Sequence, residues 1–307
     1  MKIDASIKLY IDASALRCFE SCREMYRRRY IENIVPQKPA IHLEFGRCFH
    51  LGIEAFWKGL SYDESFAAAS QAAQQLDQSY LNMKEREKWQ EMKLYLPELL
   101  GVYYEQHDQE GIQLVAQIDG KKAVELEWEL PFSIAGYPVL CGKIDRVMQR
   151  DWYISLIDNK TTSAFGQNWA DDFYQEKSRD IGLALYDWYL RQVGMTPHQV
   201  IIEAAVKPYY GKTKDRRAAY RLFDMVSIIH NRKRFDSLLR WRVAELLHYM
   251  GSYGDSNHWP MSDGEMCRTK YGFCDYIHLC NEGNSPGNLN KFKPREEHLQ
   301  LRVNLCH

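Results

Sequence analysis

The sequence predicts an α/β fold, in which a helical first part is followed by a meander of three strands and then by a helix and further strands. Apolar residues recur three and four positions apart in residues 11–60, which is typical of helices that bury one face. Between residues 123 and 162 apolar and polar residues alternate, and "AGYP" and "RDW" interrupt the alternation as turns. The chain has 307 residues, 45% of them hydrophobic and 26% charged, which is enough for a sizeable core.

Two helices are expected in the first 60 residues. The first is predicted from Ile11 to Tyr30, with its N-cap at Asp12 or Ser14. The second is predicted from Leu43 to Leu60, where apolar and aromatic residues four positions apart mark one face.

The middle of the chain changes from helices to strands at about Lys122. Before it, the polar, alanine-rich segment from Asp63 to Gln109 predicts two or more helices broken at Pro97. After it, the alternation predicts an antiparallel meander. The later elements expected are a helix at residues 174–194 that stops at Gly194, a strand at 199–210, a fifth strand at 217–226 and a long basic helix at 227–250.

Three parts are expected along the chain: a helical region (1–121), a sheet-containing core (122–250) and a cysteine-rich segment (251–307) that packs back on the N-terminal helix. No apolar run approaches the roughly 18 residues that a membrane span needs. The first ten residues lack the apolar core of a signal peptide. We therefore expect a cytoplasmic protein without membrane contact.

Two aspartates fall near the ends of neighbouring predicted strands, Asp145 in "GKIDRV" and Asp158 in "LIDNKTTS". A short turn after Arg150 brings them together on one sheet, where two carboxylates repel each other unless a cation lies between them. Hard cations such as Mg²⁺ and Mn²⁺ prefer these oxygen ligands. Lys160 lies two positions after Asp158 and on the same face, so its ammonium can orient water and stabilise charge on a phosphate. The competing interpretation is a strand-edge pair of aspartates neutralised by a lysine.

A histidine joins the candidate metal ligands. The stretch "FGRCFHLGIEAFW" places His50 four residues after Gly46, and Glu54 four residues after His50. His50 and Glu54 therefore share one face of the second predicted helix. An imidazole is a ligand that Mn²⁺ accepts, although a lone histidine is more often a packed or surface residue.

The chain has eight cysteines, and "CRTKYGFCDYIHLC" contains Cys267, Cys274 and Cys280. In a reducing compartment such a patterned subset indicates metal or cluster binding rather than disulfides. A fourth thiolate has to come from elsewhere; Cys18 in the first predicted helix is the best candidate, and Cys22 is its rival. Four thiolates suit zinc or an iron–sulfur cluster. The remaining thiols, expected to be buried or incidental, are Cys48, Cys141 and Cys306.

The net charge of −1 does not indicate a nucleic-acid-binding protein, but the distribution of the charge does. Arginine and lysine cluster with aromatic residues in three segments, at residues 17–30, 207–221 and 232–242. Such clusters suit phosphate contact and base stacking, although each alone is equally well a solvated face. Together they favour an anionic polymer as the partner.

The order of these motifs resembles the RecB-like branch of the PD-(D/E)XK nuclease superfamily. The resemblance lies in glycine-x-x-x-histidine, then "GKIDRV", then "IDNK", then a helix with a tyrosine, and it spans about Ala15 to Cys280. The N-terminal cysteine and the C-terminal triplet resemble the iron–sulfur members, such as the AddB nuclease domain, the CRISPR adaptation nuclease and small phage homologues. The resemblance implies a restriction-endonuclease-like core, in which a mixed central sheet is flanked by helices.

The same resemblance implies roles for the site residues. His50, Asp145 and Asp158 would bind Mg²⁺ or Mn²⁺ with help from the Asn159 carbonyl, and Lys160 would be catalytic. An acidic residue on the first strand often supports the site in the family. The two candidates for it, which otherwise are surface strand residues, are Glu127 and Glu129.

Cluster and DNA contacts are implied as well. A structural [4Fe–4S] cluster would be held by Cys18, Cys267, Cys274 and Cys280. Tyr186 would match the tyrosine of the family's glutamine-x-x-x-tyrosine motif, which contacts DNA. The arginines expected along the DNA path are Arg23, Arg27, Arg28 and Arg29.

The sequence departs from the family pattern at two points. Gly182 stands where the glutamine is expected, and Gln175 lies too far back to replace it. Six residues separate Cys267 from Cys274, where the better-known members have two; the longer spacing fits some phage-type members.

The resulting hypothesis is a metal-dependent DNA nuclease in a bacterial or phage-infected cell, with a helicase or recombination protein as a partner. Its aromatic and arginine content favours single-stranded DNA and an exonuclease. One alternative is a DNA-binding recombination or repair subunit whose nuclease site is inactive or depends on a partner. The other is a zinc-stapled structural protein with no polynucleotide partner.

Overall fold

The computed structural model describes residues 9–107, 109–134, 138–163, 168–210, 215–253, 259–262, 267–269 and 272–295. The chain divides into two compact units. Unit 1 comprises Met1–Lys38, Trp128–Gly142 and Arg234–His307, and unit 2 comprises Pro39–Glu127 and Lys143–Lys233.

The helices follow in chain order. They are α1 (Ala13–Ser21), α2 (Arg23–Tyr26), α3 (Ile41–Trp57), α4 (Tyr62–Gln74), α5 (Met83–Tyr104), α6 (Trp169–Lys177), α7 (Ile181–Gln192), α8 (Val226–His230), α9 (Arg232–Tyr253), α10 (Ile277–Glu282) and α11 (Pro286–Leu289). A π-helical turn (Arg27–Ile31) follows α2, and a 3₁₀ segment (Gln109–Leu114) follows α5.

The strands lie between these helices. They are β1 (Tyr10–Ile11), β2 (Ile34–Pro36), β3 (Gln117–Ile118), β4 (Lys121–Lys122), β5 (Val124–Pro131), β6 (Val139–Arg150), β7 (Tyr153–Thr162), β8 (Gln199–Val206), β9 (Tyr209–Tyr210), β10 (Asp215–Arg216), β11 (Ala219–Asp224), β12 (Arg268–Thr269), β13 (Gly272–Phe273) and β14 (Phe292–Pro294).

The main sheet is mixed. In unit 2, β6 and β7 are antiparallel, β7 and β8 are parallel, and β8 and β11 are antiparallel. β5 also pairs with β6, and β1 of unit 1 pairs in parallel with the first two residues of β6. The parallel step from β7 to β8 needs a crossover, which α6 and α7 provide. The predicted α/β class with its mixed sheet flanked by helices is confirmed, as is the meander β5–β6–β7.

Helices α3, α4 and α5 supply most of one buried apolar cluster of unit 2. A Cβ on Gly52 of α3 would meet Leu100 of α5 at 3.0 Å and Ala69 of α4 at 3.2 Å, so the three helices pack closely at this glycine. The predicted break at Pro97 is wrong, because Pro97 lies inside α5. The chain instead leaves the helical conformation after α4, and Asn82 starts α5 with a capping box.

Three other predicted helices are divided. The first is interrupted at Cys22, whose backbone is extended (φ −163°, ψ 122°), although Asp12 caps α1 as expected by accepting from the Ala15 N–H at 2.5 Å. The crossover helix is split into α6 and α7, with Asp180 as the cap of α7. The long basic helix begins with the short α8, and Asn231 separates it from α9.

In the part of the chain that the structure describes, the helices are too short or too polar to span a lipid bilayer.

Candidate active site

The antiparallel pair β6–β7 positions the two predicted aspartates. Arg146 lies opposite Ile157 at the end of the paired stretch, and Asp145 and Asp158 are the residues directly beyond this pair. The Asn159 N–H donates a 2.6 Å hydrogen bond to Asp145 Oδ2, which ties the carboxylate to the neighbouring strand. The prediction that the two aspartates approach each other across a hairpin agrees with this geometry.

Asn159 is held through all three of its polar groups. Its N–H donates to Asp145, its carbonyl oxygen accepts from His50 Nε2 at 3.1 Å, and its Oδ1 lies 3.2 Å from the Tyr103 hydroxyl. His50 comes from α3 and Tyr103 from α5, so two helices converge on one residue of β7. The main-chain carbonyl of Asn159 therefore has a fixed direction.

A carboxylate that the sequence analysis did not identify completes a ligand group. One donor atom each from His50, Glu125 and Asp145 lies within 4.8 Å of the others. His50 Nδ1 is 3.3 Å from Glu125 Oε1 and 3.8 Å from Asp145 Oδ2. In the described ranges this is the single group of three or more such side chains with that spacing.

Glu125 occupies this position because its backbone leaves the regular strand conformation. Its φ of +48° lies in the left-handed region, which costs a non-glycine residue of the order of 1–3 kcal/mol. The candidates named from the sequence, Glu127 and Glu129, are both exposed. In a regular strand, residues 125, 127 and 129 face the same side, so the alternation does not distinguish between them. The only sequence signal for this ligand is that the strand is rich in acidic residues.

Asp158 and Lys160 form an ion pair beside this group, in which the aspartate is buried and the lysine is partly exposed. The Asp158 side chain is 7% exposed and that of Lys160 36%. Lys160 Nζ donates to Asp158 Oδ1 at 2.7 Å and lies 2.6 Å from Oδ2, so the ammonium contacts both carboxylate oxygens. A buried carboxylate suits a divalent cation, as do the oxygen and imidazole donors next to it. The residues present therefore fit Mg²⁺ or Mn²⁺.

The protons of the site reflect this crowding of charge. Burial raises the pKa of Asp158, and although Lys160 opposes the rise, Asp145 adds to it. Burial acts to lower the pKa of His50, but Asp145 and Glu125 together raise it above its usual value. Three carboxylates meet two lysines here, since Lys143 Nζ lies 2.7 Å from Glu125 Oε2. The site thus keeps an excess of negative charge that a cation can neutralise.

A second buried ionic network lies directly behind Asn159. Arg146, 1% exposed, donates to Glu203 Oε1 at 2.6 Å and to the Tyr103 hydroxyl at 2.7 Å. The single hydrogen of the Tyr103 hydroxyl has two acceptors within reach, Glu203 Oε2 at 2.9 Å and Asn159 Oδ1 at 3.2 Å. The Arg146 guanidinium lies 3.8 Å over the Trp57 ring. We call Tyr103, Arg146 and Glu203 the buried network. It links the support of Asn159 to the core of unit 2.

Helix α7 carries the tyrosine expected to contact DNA. Tyr186 is half-buried, and Gly182 is buried with its N–H donating to Asp180 Oδ1 at 2.6 Å. Asp180 acts electrostatically on both Asp158 and Lys160. The helix therefore adjoins the site, and the position where the family has a glutamine offers no side chain.

In unit 1, two of the predicted DNA-contacting arginines are buried. Arg27 and Arg28 are 4% and 2% exposed, and both donate to Glu24 and Glu32. This arrangement occupies their guanidinium groups away from solvent, so it does not support the prediction that they contact DNA. Arg23 is partly exposed and pairs with Glu245 at 2.9 Å. Arg29 is exposed.

Unit 1 also gathers the expected cluster cysteines. Cys267 and Cys274 are joined by a hydrogen bond from the Cys274 N–H to the Cys267 carbonyl at 2.7 Å, and Cys280 lies in α10. Burial, then Glu24, Cys22 and Cys274, raise the pKa of Cys280 to about 11. Cys22 also acts on Cys274, which in turn responds to Cys267.

The two candidates for the fourth thiolate differ in their surroundings. Burial raises the pKa of Cys18 to about 12, and this thiol is 9% exposed. Cys22, at the break between α1 and α2, is half-exposed and acts on Cys18, Cys274 and Cys280. A set of sulfur donors from both ends of the chain, with Cys22 as the shared neighbour, fits a thiolate-bound metal group. Of the three incidental thiols, Cys48 and Cys141 are buried and Cys306 lies outside the described residues.

Comparison with known proteins gives one finding and one negative result. The model of the PD-(D/E)XK nuclease superfamily matches residues 11–281, which include all of the site residues above. No match was found among curated proteins.

Proposed function

We propose that this chain, which belongs to the PD-(D/E)XK nuclease superfamily, is a Mg²⁺- or Mn²⁺-dependent deoxyribonuclease. Membership implies a nuclease that hydrolyses phosphodiester bonds in DNA with a divalent metal. The observation that carries the proposal is the convergence of His50, Asp145 and the Asn159 carbonyl beside the Asp158–Lys160 pair. These are the donors and the ammonium that phosphodiester hydrolysis needs at one place.

The metal would be held by His50, Asp145, Asp158 and the Asn159 carbonyl, with Glu125 as a further carboxylate. When bound, such an ion supplies Lewis acidity toward a phosphoryl oxygen and toward water. Asp145 is kept in place by the Asn159 N–H, and Asn159 by Tyr103. The residues are thus oriented before substrate arrives, which is the condition for electrostatic stabilisation of a transition state.

Lys160 has the catalytic role in this proposal. Its ammonium is partly exposed and is held by the buried Asp158, so it faces the site with a fixed positive charge. Asp158 and Asp145 keep the pKa of Lys160 raised against the effect of burial, so it stays protonated. A protonated lysine can orient the attacking water and stabilise charge that develops on the phosphate.

We favour an exonuclease that acts on single-stranded DNA. Support comes from an aromatic group of unit 2, in which Trp169 and Phe173 of α6 approach Phe223 with centroids 6.1 and 5.1 Å away. Arg221 lies 5.4 Å over the Trp169 ring. Aromatic faces beside arginine stack unpaired bases of any sequence.

We also propose a structural [4Fe–4S] cluster in unit 1, ligated by Cys267, Cys274, Cys280 and Cys22. Cys22 is preferred to Cys18 because it acts on both Cys274 and Cys280 and is less buried.

The second candidate function is a DNA-binding recombination or repair subunit that cuts only with a partner such as a helicase. Gly182 favours it, since a buried glycine cannot make the DNA contact of the family's glutamine. Both candidate functions imply a protein that acts in the cytoplasm.

The test is digestion of end-labelled single- and double-stranded DNA with Mg²⁺, Mn²⁺ or EDTA, comparing the wild type with Lys160→Ala. We expect metal-dependent cutting by the wild type and loss of cutting with intact DNA binding in the variant. The matched control is Lys121→Ala, which removes an exposed lysine of β4. Cutting by Lys160→Ala at the wild-type rate would refute the assignment, and binding without cutting under all conditions would favour the subunit hypothesis.

A further inference from the structure

A buried lysine of unit 2 is unused by the proposed chemistry. Lys207 follows β8 and is only 9% exposed. Its backbone is fixed on both sides, because its N–H donates to the Thr162 carbonyl at 2.9 Å and its carbonyl accepts from Arg216 at 2.8 Å. Its ammonium lies 4.5 Å over the Phe45 ring. In the described part of the chain no carboxylate pairs with this ammonium, although burying a charge without a counter-charge is costly.

Two more basic groups interact electrostatically with Lys207. His42 lies in the first turn of α3, and Lys88 is an exposed residue of α5. Burial and, to a smaller extent, Lys88 together lower the pKa of Lys207 to about 8, as expected when cations lie near each other. Burial and then Lys207 and Lys88 lower the pKa of His42. The acid of this turn, Glu44, is paired with Arg47 at 2.8 Å.

The start of α3 adds to this positive potential. Its N-cap is Ala40, which has no side chain to cap the first N–H groups. Uncapped N–H groups and the helix dipole favour an anion at this end, above all a phosphate. The lysine that is nine-tenths buried beside it is the independent sign that an anion belongs there.

The same helix connects this cluster to the candidate active site. His42, Gly46 and His50 are four residues apart and lie on one face of α3. A Cβ on Gly46 would lie 3.5 Å from Thr161 Oγ1, so this face packs closely on the end of β7. Eight residues of helix rise about 12 Å. Since the phosphates of one strand advance by ~3.4 Å per nucleotide along the axis of a duplex, the two places are within about four nucleotides of each other.

We propose that Lys207, His42 and Lys88 form a phosphate-binding subsite that holds the DNA backbone a few nucleotides from the scissile phosphate. The inference rests on the proposed nuclease function but concerns binding, which is measurable without cutting. The ligand is a phosphodiester of a polynucleotide, and its charge supplies the counter-ion that the described residues do not give Lys207. Lys207 would fix the position of the DNA strand along the binding surface relative to the metal ligands and Lys160.

The experiment tests whether the charge of Lys207 interacts with the charge of one particular phosphate of the DNA. Fluorescence anisotropy with EDTA measures the affinity for single-stranded oligonucleotides in which one phosphate at a time is replaced by a neutral methylphosphonate. For the wild type we expect one position away from the cleavage site at which the replacement weakens binding about tenfold, the scale of a hydrogen bond to a charged group. In Lys207→Met the unmodified oligonucleotide should bind about tenfold more weakly, and that one position should no longer matter.

Controls keep this result separate from folding and from catalysis. Lys121→Met removes an exposed lysine and should leave the position profile unchanged. Lys207→Met should melt no lower than the wild type, because it removes a buried charge without a counter-charge. An unchanged position profile in Lys207→Met, or a loss spread equally over all positions, would overturn the subsite. A chain that never cuts but shows the coupling would keep the subsite and reject the nuclease.

Discussion

The two units each bring together side chains that suit a metal, but they tolerate the resulting like charges by different means. In unit 2 the donors are carboxylates and an imidazole, and lysines counter them: Lys143 pairs with Glu125 and Lys160 with Asp158. In unit 1 the donors are thiols, and burial raises the pKa of Cys274 and raises that of Cys280 to about 11. Unit 2 carries its own counter-charges, whereas in unit 1 burial favours the neutral form of these two thiols.

This difference separates function from stability. The oxygen donors of unit 2 lie on strands of one sheet and His50 lies on α3, beside a buried apolar core, so their geometry does not depend on an ion. The thiols of unit 1 come from chain segments almost a whole chain length apart, and the apolar cluster around Tyr276, Leu279 and Phe292 is small. We therefore expect metal loss to abolish activity in unit 2 and to reduce stability in unit 1.

The largest effect is expected at the oxygen ligands of unit 2. Asp145→Asn should slow DNA hydrolysis at least about a hundred- to a thousandfold, since it removes a charged ligand that the Asn159 N–H holds in place. The melting temperature should not fall, because one of several converging negative charges disappears. Initial rates and thermal melts test this together.

The control for Asp145→Asn is Glu127→Gln on β5, an exposed carboxylate outside the ligand group. It should cut DNA at the wild-type rate. A marked loss of melting temperature in Asp145→Asn would contradict the view that unit 2 folds independently of its ion.

The next effect should be on the stability of unit 2. Glu203→Gln leaves Arg146 buried without its counter-charge and should cost about 3–5 kcal/mol in the free energy of unfolding. Burial acts to raise the pKa of Glu203, but Arg146 and His107 hold it at about 2, below the ordinary 4.5. The stabilisation is therefore fully present above pH 4.5 and is lost as the pH falls from 4.5 through about 2.

Urea denaturation between pH 2 and 6 tests this prediction, since the variant should lose that part of the pH dependence. The double variant Arg146→Met, Glu203→Leu is the control, because replacing both partners with apolar groups can restore stability. An unchanged pH profile in Glu203→Gln would show that other carboxylates determine the acid sensitivity.

A somewhat smaller effect is expected in unit 1. Cys22→Ser should lose the iron and sulfide of the cluster and about 2–5 kcal/mol of stability, comparable to losing a cross-link that closes a long loop. Cys18→Ser should keep the cluster, because Cys18 is buried and, unlike Cys22, is not among the groups that shift the pKa of Cys280. Iron and sulfide analysis with thermal melts distinguishes the two.

The reverse result, with the cluster lost only in Cys18→Ser, would return the fourth ligand to Cys18. Stoichiometric zinc without sulfide would favour the zinc-stapled alternative. Melting that does not change after the cluster is chelated out would contradict its structural role.

The smallest effect concerns the arginines of unit 1. Arg29→Ala should weaken DNA binding no more than about threefold and reduce the salt dependence by about one charge, as for one phosphate contact. Arg27→Ala should instead lower the melting temperature, because it removes one of the two arginines that pair with the buried Glu24. Salt titrations of both variants test this, and an equal effect of the two on DNA affinity would argue against the assignment.

The sequence predicts the frame of the site better than its details. Alternation identifies β5, β6 and β7, and with them the approach of Asp145 and Asp158, because a hairpin fixes which residues face each other. The spacing of α3 likewise places His50. Glu125 could not be predicted, because its left-handed backbone breaks the alternation on which strand prediction depends.

Unit 1 was harder to predict for tertiary reasons. Consecutive arginines in a predicted helix favour an interpretation as DNA contacts. In the structure, however, Arg27 and Arg28 pair with Glu24 and Glu32 of the adjacent turns. The break at Cys22 has no proline or glycine to indicate it. Pro97 shows the opposite case, since packing of α5 in the core overrides a residue that normally ends a helix.

Helix α3 acts as a ruler for insertions and deletions. Each residue added or removed between His42 and His50 turns one end of the helix by about 100° relative to the other, so His42 would leave the face that carries His50. A change of four residues would restore the face and alter the separation by about 6 Å. Insertions and deletions in this segment are therefore expected to have the length of whole helical turns. One added turn would increase the distance along the bound DNA strand between the phosphate subsite and the candidate active site.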